Sequence, residues 1–180
     1  MEETELLLLL KKDVNSGFRH LLKLYSQVIY WHVRKIVYNH ADADDITQNV
    51  FIKVFQNLDS FKRNSSLKTW IYKIATNESI NFLNSAAQKK NIRNEELVMQ
   101  LSSHLKDDNF FNGDEIQFKL QQAIAKLPEK QRIVFNMKYF DNIKYEEMSE
   151  ILETSVGALK SSYHHASKKV EQFLLANIEN

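Results

Sequence analysis

The chain of 180 residues carries 24 Lys+Arg against 23 Asp+Glu, for a net charge of +1, with six His, three Gly, one Pro and no Cys. Lack of cysteine excludes a disulfide framework and a thiolate metal site, and suits a reducing compartment. Gly17, Gly113 and Gly157 stand alone, so neither a phosphate-cradling loop nor a dinucleotide fingerprint is available, whereas 43% hydrophobic residues support one packed domain or two small ones.

In chain order, the first apolar run, Leu6 to Leu10, is far short of the roughly 20 residues a membrane span needs. The acidic Glu2, Glu3 and Glu5 are wrong for a signal peptide, so no direct membrane insertion is expected. From Asn15 to Val37, Phe18, Leu21, Leu22, Tyr25, Ile29, Val33 and Ile36 recur at helical spacing, with Asn15 or Ser16 as cap. The next helix is expected to start at a capping Asp42, with Asp45 three residues on. Its stripe is Ile46, Val50, Val54 and Leu58, broadened by Phe51 and Phe55. A break over 59–66 precedes a third long helix carrying Leu67, Ile71, Ile74, Ala75 and Leu83.

Residues 88–114 turn polar and read as a flexible linker with a transient helix near Glu95–Leu101. Periodicity resumes with Ile116, Leu120, Ile124 and Leu127, and Pro128 ends that helix or opens the next. Ile133, Val134, Met137 and Phe140 make the following apolar face. Tyr145 to Leu152 is a short helix; Glu153-Thr154-Ser155 is a tight turn, and Ser155 caps a helix running to about Ala176. Two helices joined so closely form a helix-turn-helix. Acidic residues crowd its first helix and Lys160, Lys168 and Lys169 its second, beside Ser161, Ser162, His164 and His165. A basic, hydrogen-bonding second helix suits a DNA major groove. Helical corners also occur in proteins that never touch DNA. Adjacent His164 and His165 point about 100° apart on a helix, so they cannot share one metal ion with good geometry.

The break at 59–66 sets Phe61 among Lys62, Arg63, Asn64, Ser65 and Ser66, with Trp70, Lys73 and Asn77 downstream. Cations and amides interleaved with aromatics suit unstacked single-stranded bases. Core sealing explains Trp70 better, and solvent-facing polarity explains Asn64, Ser65 and Asn77 equally well. Asp44, Asp45, Gln48 and Asn49 form a polar helix side; complementing the helix dipole and docking a partner both account for it.

The stretch Asp42-Ala-Asp-Asp-Ile-Thr-Gln-Asn-Val-Phe-Ile-Lys-Val-Phe, then Leu58-Asp-Ser-Phe-Lys and Leu67-Lys-Thr-Trp-Ile-Tyr-Lys-Ile-Ala-Thr-Asn, resembles region 2 of RNA polymerase sigma factors of the sigma-70 family, extracytoplasmic-function group. Ala125-Lys-Leu-Pro-Glu-Lys-Gln-Arg, Lys144-Tyr-Glu-Glu-Met-Ser-Glu-Ile-Leu and Ser155-Val-Gly-Ala-Leu-Lys-Ser resemble region 4. The resemblance implies an all-α protein of two small helical domains, a region 2 bundle over 1–87 and a region 4 helix-turn-helix over 115–180, joined by the flexible linker 88–114. It implies a non-enzymatic subunit without cofactors, bacterial, cytoplasmic and nucleoid-associated. Such a subunit brings core RNA polymerase to promoters and helps open the duplex. By motif matching, Asp45, Gln48 and Asn49 fall where the family docks on the polymerase. Lys53, Phe61, Lys62, Asn64, Ser65 and Asn77 fall where relatives hold the single-stranded −10 element. Ser155, Lys160, Ser161, His164 and His165 fall on the helix that reads the duplex −35 element. The resemblance also implies an inhibitory anti-sigma partner.

Several residues depart from the pattern. The family usually has Glu at the position of Asn49, commonly Arg at Ser162 and His165, and often Gly at Glu153. Other readings are a polymerase-independent helix-turn-helix regulator, which would bind duplex tightly alone, and a helical adaptor. An enzyme ranks below both, since no carboxylate pair, nucleophile–base set or metal spacing stands out.

Overall fold

The computed structural model describes residues 2–61, 64–107 and 114–178, and these contain helices and turns with no strand. Helix α1 spans Glu3–Lys12, α2 Val14–Val37 and α3 His40–Gln56; a single 3-10 turn, Leu58–Ser60, follows. Next come α4, Leu67–Lys90, and α5, Asn94–Ser103, with a 3-10 turn at Leu105–Asp107. The last four are α6 Glu115–Ala125, α7 Glu129–Tyr139, α8 Tyr145–Leu152 and α9 Val156–Ile178.

Helix starts follow capping chemistry, with some shifts from expectation. Asp13, not Asn15 or Ser16, caps α2, its carboxylate accepting from the Ser16 N–H at 3.1 Å. The Ser16 hydroxyl and then that backbone hydrogen bond hold the Asp13 carboxyl below the usual aspartate range. Helix α3 starts earlier than expected: Asn39 accepts from the Asp42 N–H at 3.0 Å, which leaves Asp42 in the first turn. Burial, then the neighbouring Asp45 charge, push the Asp42 carboxyl up. Ser66 caps α4 through the Thr69 N–H, and Ser155 takes the expected capping role, accepting from the Ala158 N–H at 3.3 Å.

Helix α1 has no counterpart in the periodicity. Leu6 and Leu10, one turn apart, are buried against α2 while Leu8 is 62% exposed, so the leucine run is amphipathic after all. The Glu3 carboxylate also accepts from the Leu67 N–H at 2.9 Å, tying α1 to the start of α4. Close approach of α1 to α2 depends on Gly17: a Cβ there would lie 2.7 Å from the Leu10 backbone N and Cα. Gly17→Ala should therefore lose up to about 2 kcal/mol. The overpacking cost of about 1–3 kcal/mol outweighs the gain of roughly 0.5–1 kcal/mol that alanine brings to a helix. Calorimetric melting checks the sign, and hydrogen exchange should show protection lost first in α1.

The segment between the halves is more ordered than the sequence suggests. Leu97, Val98 and Leu105 are buried, and α5 packs against α4 and α6. The expected transient helix is thus a packed element rather than a free linker, because its sparse apolar residues recur on one face. Residues 108–113 lie outside the described residues.

Two apolar cores form. A large one runs from Leu6 through α2, α3 and α4 and continues into Ile133, Val134, Met137, Met148, Ile151 and Leu159. A small one joins Ala123, Ile124, Leu127, Phe135, Ala166 and Val170. Helix α7 therefore serves both, presenting Phe135 to the small core and Val134 and Met137 to the large one. Helix α8 lies against α4 and α7 against α2, so the helix-turn-helix half sits on the first bundle. Phe140, expected on the apolar face of α7, is 37% exposed. No described helix is long and apolar enough to cross a membrane.

Candidate nucleic-acid interface

Three surfaces carry the residues singled out by sequence. On α9, Leu159, Ala166 and Val170 are buried, which fixes the rotation of the helix. The opposite face then presents Lys160, Ser161, His164 and His165, all exposed, with exposed Ser155 at the cap. Positions 160, 161, 164 and 165 share one side because they repeat at helical spacing. Lys168, one turn beyond His164, is exposed on that same side and extends the basic row. His164 and His165 lie with ring centroids 5.9 Å apart and planes inclined by 56°. Such a row of cations and donors on a rigid rod can reach both phosphates and base edges.

On the first bundle, the Phe61 ring leans on Trp70 at 5.1 Å and both are half-buried. Asn64 is exposed and Ser65 half-buried in the turn before α4; Lys62 lies outside the described residues. Along α4, Trp70, Lys73, Asn77 and Asn81 follow one another at helical spacing, with Asn77 and Asn81 exposed. Lys53 on α3 is not a free cation: its ammonium donates to the Glu78 carboxylate at 2.6 Å. Lys73 reaches across to the other half and pairs with Glu153 at 2.7 Å. That hydrogen bond, with the Lys73 charge, holds the Glu153 carboxyl below its usual range. Glu153 ends α8 at φ 52°, a left-handed conformation that disfavours a Cβ-bearing residue. Beneath the pair, Asn77 and Ile80 face Ile151, Thr154 and Ser162 across a crevice between the halves.

The third surface is on α3, where Asp45, Gln48 and Asn49 are exposed on one side. Ile52, next in that row, is 53% exposed, and Phe55, expected to broaden the core stripe, is 45% exposed. With Phe18, Leu22 and Phe51 they line a shallow apolar groove beside Gln48. The Phe55 ring meets Phe18 edge-on at 5.0 Å. Period alone does not separate an apolar side chain that faces the core from one that awaits a partner, which is why sequence reasoning missed Ile52. Polar neighbours at one-turn spacing, Asp45, Gln48 and Asn49, are the signal that could have found it.

Two family models match the chain. Residues 21–89 match the family model described as Sigma-70 region 2, and residues 117–170 match Sigma-70, region 4. The chain is 30% identical over 172 residues to the ECF RNA polymerase sigma factor SigW of Bacillus subtilis, covering 91% of this chain and 92% of that one. It is 26% identical to the ECF RNA polymerase sigma-E factor of Escherichia coli K12, over 89% of this chain and 88% of its relative. Among solved structures, the sigma factor RpoE of Bartonella quintana in complex with the anti-sigma factor NepR superposes with a TM-score of 0.69 at 19% identity, covering 89% and 98% of the two chains. CnrH in complex with the cytosolic domain of CnrY gives 0.70 at 17% identity, covering 96% of each.

Proposed function

Since the chain belongs to the extracytoplasmic-function group of RNA polymerase sigma factors, we propose that its three surfaces divide the work of promoter selection, a non-catalytic role carried out on core polymerase in the bacterial cytoplasm. The α9 face of Ser155, Lys160, Ser161, His164 and His165, extended by Lys168, docks in the duplex −35 element. Phe61, Asn64, Ser65 and Asn77 receive the unpaired −10 strand, with Lys62 supplying charge and Lys53 joining it by exchanging Glu78 for a phosphate. Asp45, Gln48 and Asn49, continued by Ile52 and Phe55, hold the polymerase. In domain terms, 1–87 is the polymerase and −10 domain and 115–180 the −35 domain. The observation that carries the reading is the alignment of the α9 set, and of Asp45, Gln48 and Asn49 on α3, each on one exposed side of its helix.

The chemistry fits that division. Neutral amide and hydroxyl groups at 64, 65 and 77 match base edges, whose hydrogen bonds are exposed only after unpairing. Duplex reading draws on cations for phosphates and on His164 and His165 for base edges. Because Ser162 and His165 stand where the family commonly has Arg, bidentate guanidinium readout is replaced by shorter contacts, and base preference moves with it. Two solved structures of like fold are complexes with a partner, a sigma factor with an anti-sigma factor in one and CnrH with the cytosolic domain of CnrY in the other. A protein inhibitor of this chain follows by analogy.

Run-off transcription with a cognate core polymerase tests the function: transcripts should start at a defined site only when the chain is present. Tight binding to duplex without polymerase, and no such transcript, would instead indicate a free-standing regulator. For the −35 contact, Lys160→Ala should lower the slope of log affinity against log salt by about 1. His165→Ala should shift the preferred base at one position, a discrimination of about 1–3 kcal/mol. A salt series over a promoter library separates the two effects.

A further inference from the structure

Helix α1 belongs to none of the three surfaces, yet one of its carboxylates reaches the segment that carries Asn64 and Ser65. Glu3 accepts from the Leu67 N–H, the first of α4, at 2.9 Å across 64 positions of sequence. Elsewhere helix starts are served locally: Asp13 at α2, Asn39 at α3, Asp114 at α6 and Ser155 at α9 each accept from an N–H three residues on. Helix α4 has such a local cap too, Ser66, whose hydroxyl takes the Thr69 N–H at 3.0 Å and meets the Thr69 hydroxyl at 2.8 Å. Glu3 is therefore a second acceptor, brought from another helix to an end that already has a cap. A carboxylate there satisfies one more unpaired N–H and complements the positive end of the helix.

Helix α1 is built to hold that carboxylate in place. The Glu5 carboxylate accepts from the Glu2 N–H at 3.1 Å, fixing the first turn on either side of Glu3. Leu6 and Leu10, both buried, seat the helix on α2, where Gly17 lets the two backbones meet. Glu3 is itself half-buried, and its charge, after burial, helps raise the Tyr25 phenol on α2. On the α4 side, Leu67 is buried and Trp70, one turn later, receives the Phe61 ring at 5.1 Å. The Phe61 N–H donates to the Leu58 carbonyl at 3.2 Å. The described ends of the capture turn are thus pinned to the first turn of α4: Phe61 by its ring, Ser66 by its hydroxyl, and Leu67 by a carboxylate from α1.

We propose that Glu3 is a positioning residue for strand capture: from α1 it fixes the first turn of α4 and, through it, how Asn64 and Ser65 are presented to the unpaired −10 strand. The inference rests on the promoter-selection reading above and gives Glu3 a role without contact to the DNA. Asn64 and Ser65 stand three and two residues before Leu67, so a shift in the start of α4 reaches them directly. Hydrogen bonds to base edges weaken steeply when misaligned, and a turn already in its binding geometry loses less freedom on taking up the strand.

The full chain and its Glu3→Ala, Glu3→Gln and Gly17→Ala variants, each with core polymerase well below the melting temperature, make the test. Glu3→Ala should lower permanganate reactivity of −10 thymines by about tenfold at saturating polymerase, as loss of a hydrogen bond to a charged group predicts. Glu3→Gln keeps an acceptor oxygen without the charge, so its loss should be only about threefold. Gly17→Ala leaves Glu3 and α4 unchanged but pushes α1 off α2, and should reproduce the opening defect. Affinity for core polymerase, and for duplex carrying the −35 element alone, should stay within about twofold of the parent, since both sites are remote. Acrylamide quenching in a Trp31→Phe background, where Trp70 is the single tryptophan, reads the turn without DNA or polymerase. Glu3→Ala should raise that quenching by about twofold as the turn loosens. Promoter opening by Glu3→Ala equal to the parent's, or a defect shared equally by −35 binding and polymerase affinity, would overturn the positioning role. So would Trp70 quenching unaltered by Glu3→Ala. A parent chain that opens no promoter would count against the promoter-selection reading instead, with the quenching comparison still deciding whether Glu3 holds the turn.

Discussion

Replacing Asn64, Ser65 and Asn77 together by alanine is expected to reduce promoter-specific transcription by between ten- and a thousandfold while leaving duplex −35 binding intact. Each lost hydrogen bond is worth about 0.5–1.5 kcal/mol, three together about 1.5–4.5 kcal/mol, and every 1.4 kcal/mol is about a factor of ten. That sum is comparable to the few kcal/mol needed to unstack and unpair a base, so its removal should stall opening rather than trim it. The fold should tolerate the change, because Asn64 and Asn77 are exposed and Ser65 is not fully buried. Permanganate reactivity of −10 thymines reads the opening step directly. A triple variant that opens the duplex as well as the parent chain would sink the strand-capture role.

Ile52→Asp is expected to weaken binding to core polymerase by about 2–4 kcal/mol, the range for a buried anchor lost from an interface. A carboxylate cannot enter an apolar contact without losing its water or becoming protonated. Stability of the free chain should change by less than about 0.5 kcal/mol, since Ile52 is 53% exposed and touches solvent already. Ile46, earlier on the same helix and 5% exposed, makes the contrast: Ile46→Asp should unfold the bundle. Fluorescence titration of labelled chain with core polymerase, run beside thermal melts, distinguishes lost docking from lost folding. Unaltered affinity for Ile52→Asp would move the docking site away from this groove.

Elements with strong local signals were legible. The stripe of α2 and the boundaries of α8 and α9 follow from apolar spacing, caps and turn residues lying within a few positions of one another. Legibility failed where two local answers compete or where the deciding contact is distant. Asn39 and Asp42 are both good caps, three residues apart, and Asn39 takes the role. The run Leu6 to Leu10 shows no polar alternation, and only docking on α2 at Gly17 reveals which leucines turn inward. In α5, few apolar residues suffice because α4 and α6 flank them. Among candidate site residues, side-of-helix placement was readable for α9 and α3, but ion pairing was not. Lys53 with Glu78, Lys73 with Glu153 and His32 with Asp141 join positions 25, 80 and 109 residues apart. Nothing in a local window announces them.

The divided loyalty of α7 has a thermal consequence. With Phe135 committed to one core and Val134 and Met137 to the other, separation of the halves strips hydrocarbon from Val134 and Met137 and hands it to water. Release should then carry a positive heat-capacity change, and the grip between halves should slacken on cooling, as hydrophobic contacts do. The parted form also bares a greasy strip that invites self-association, so its lifetime in solution is set by how quickly another surface covers it.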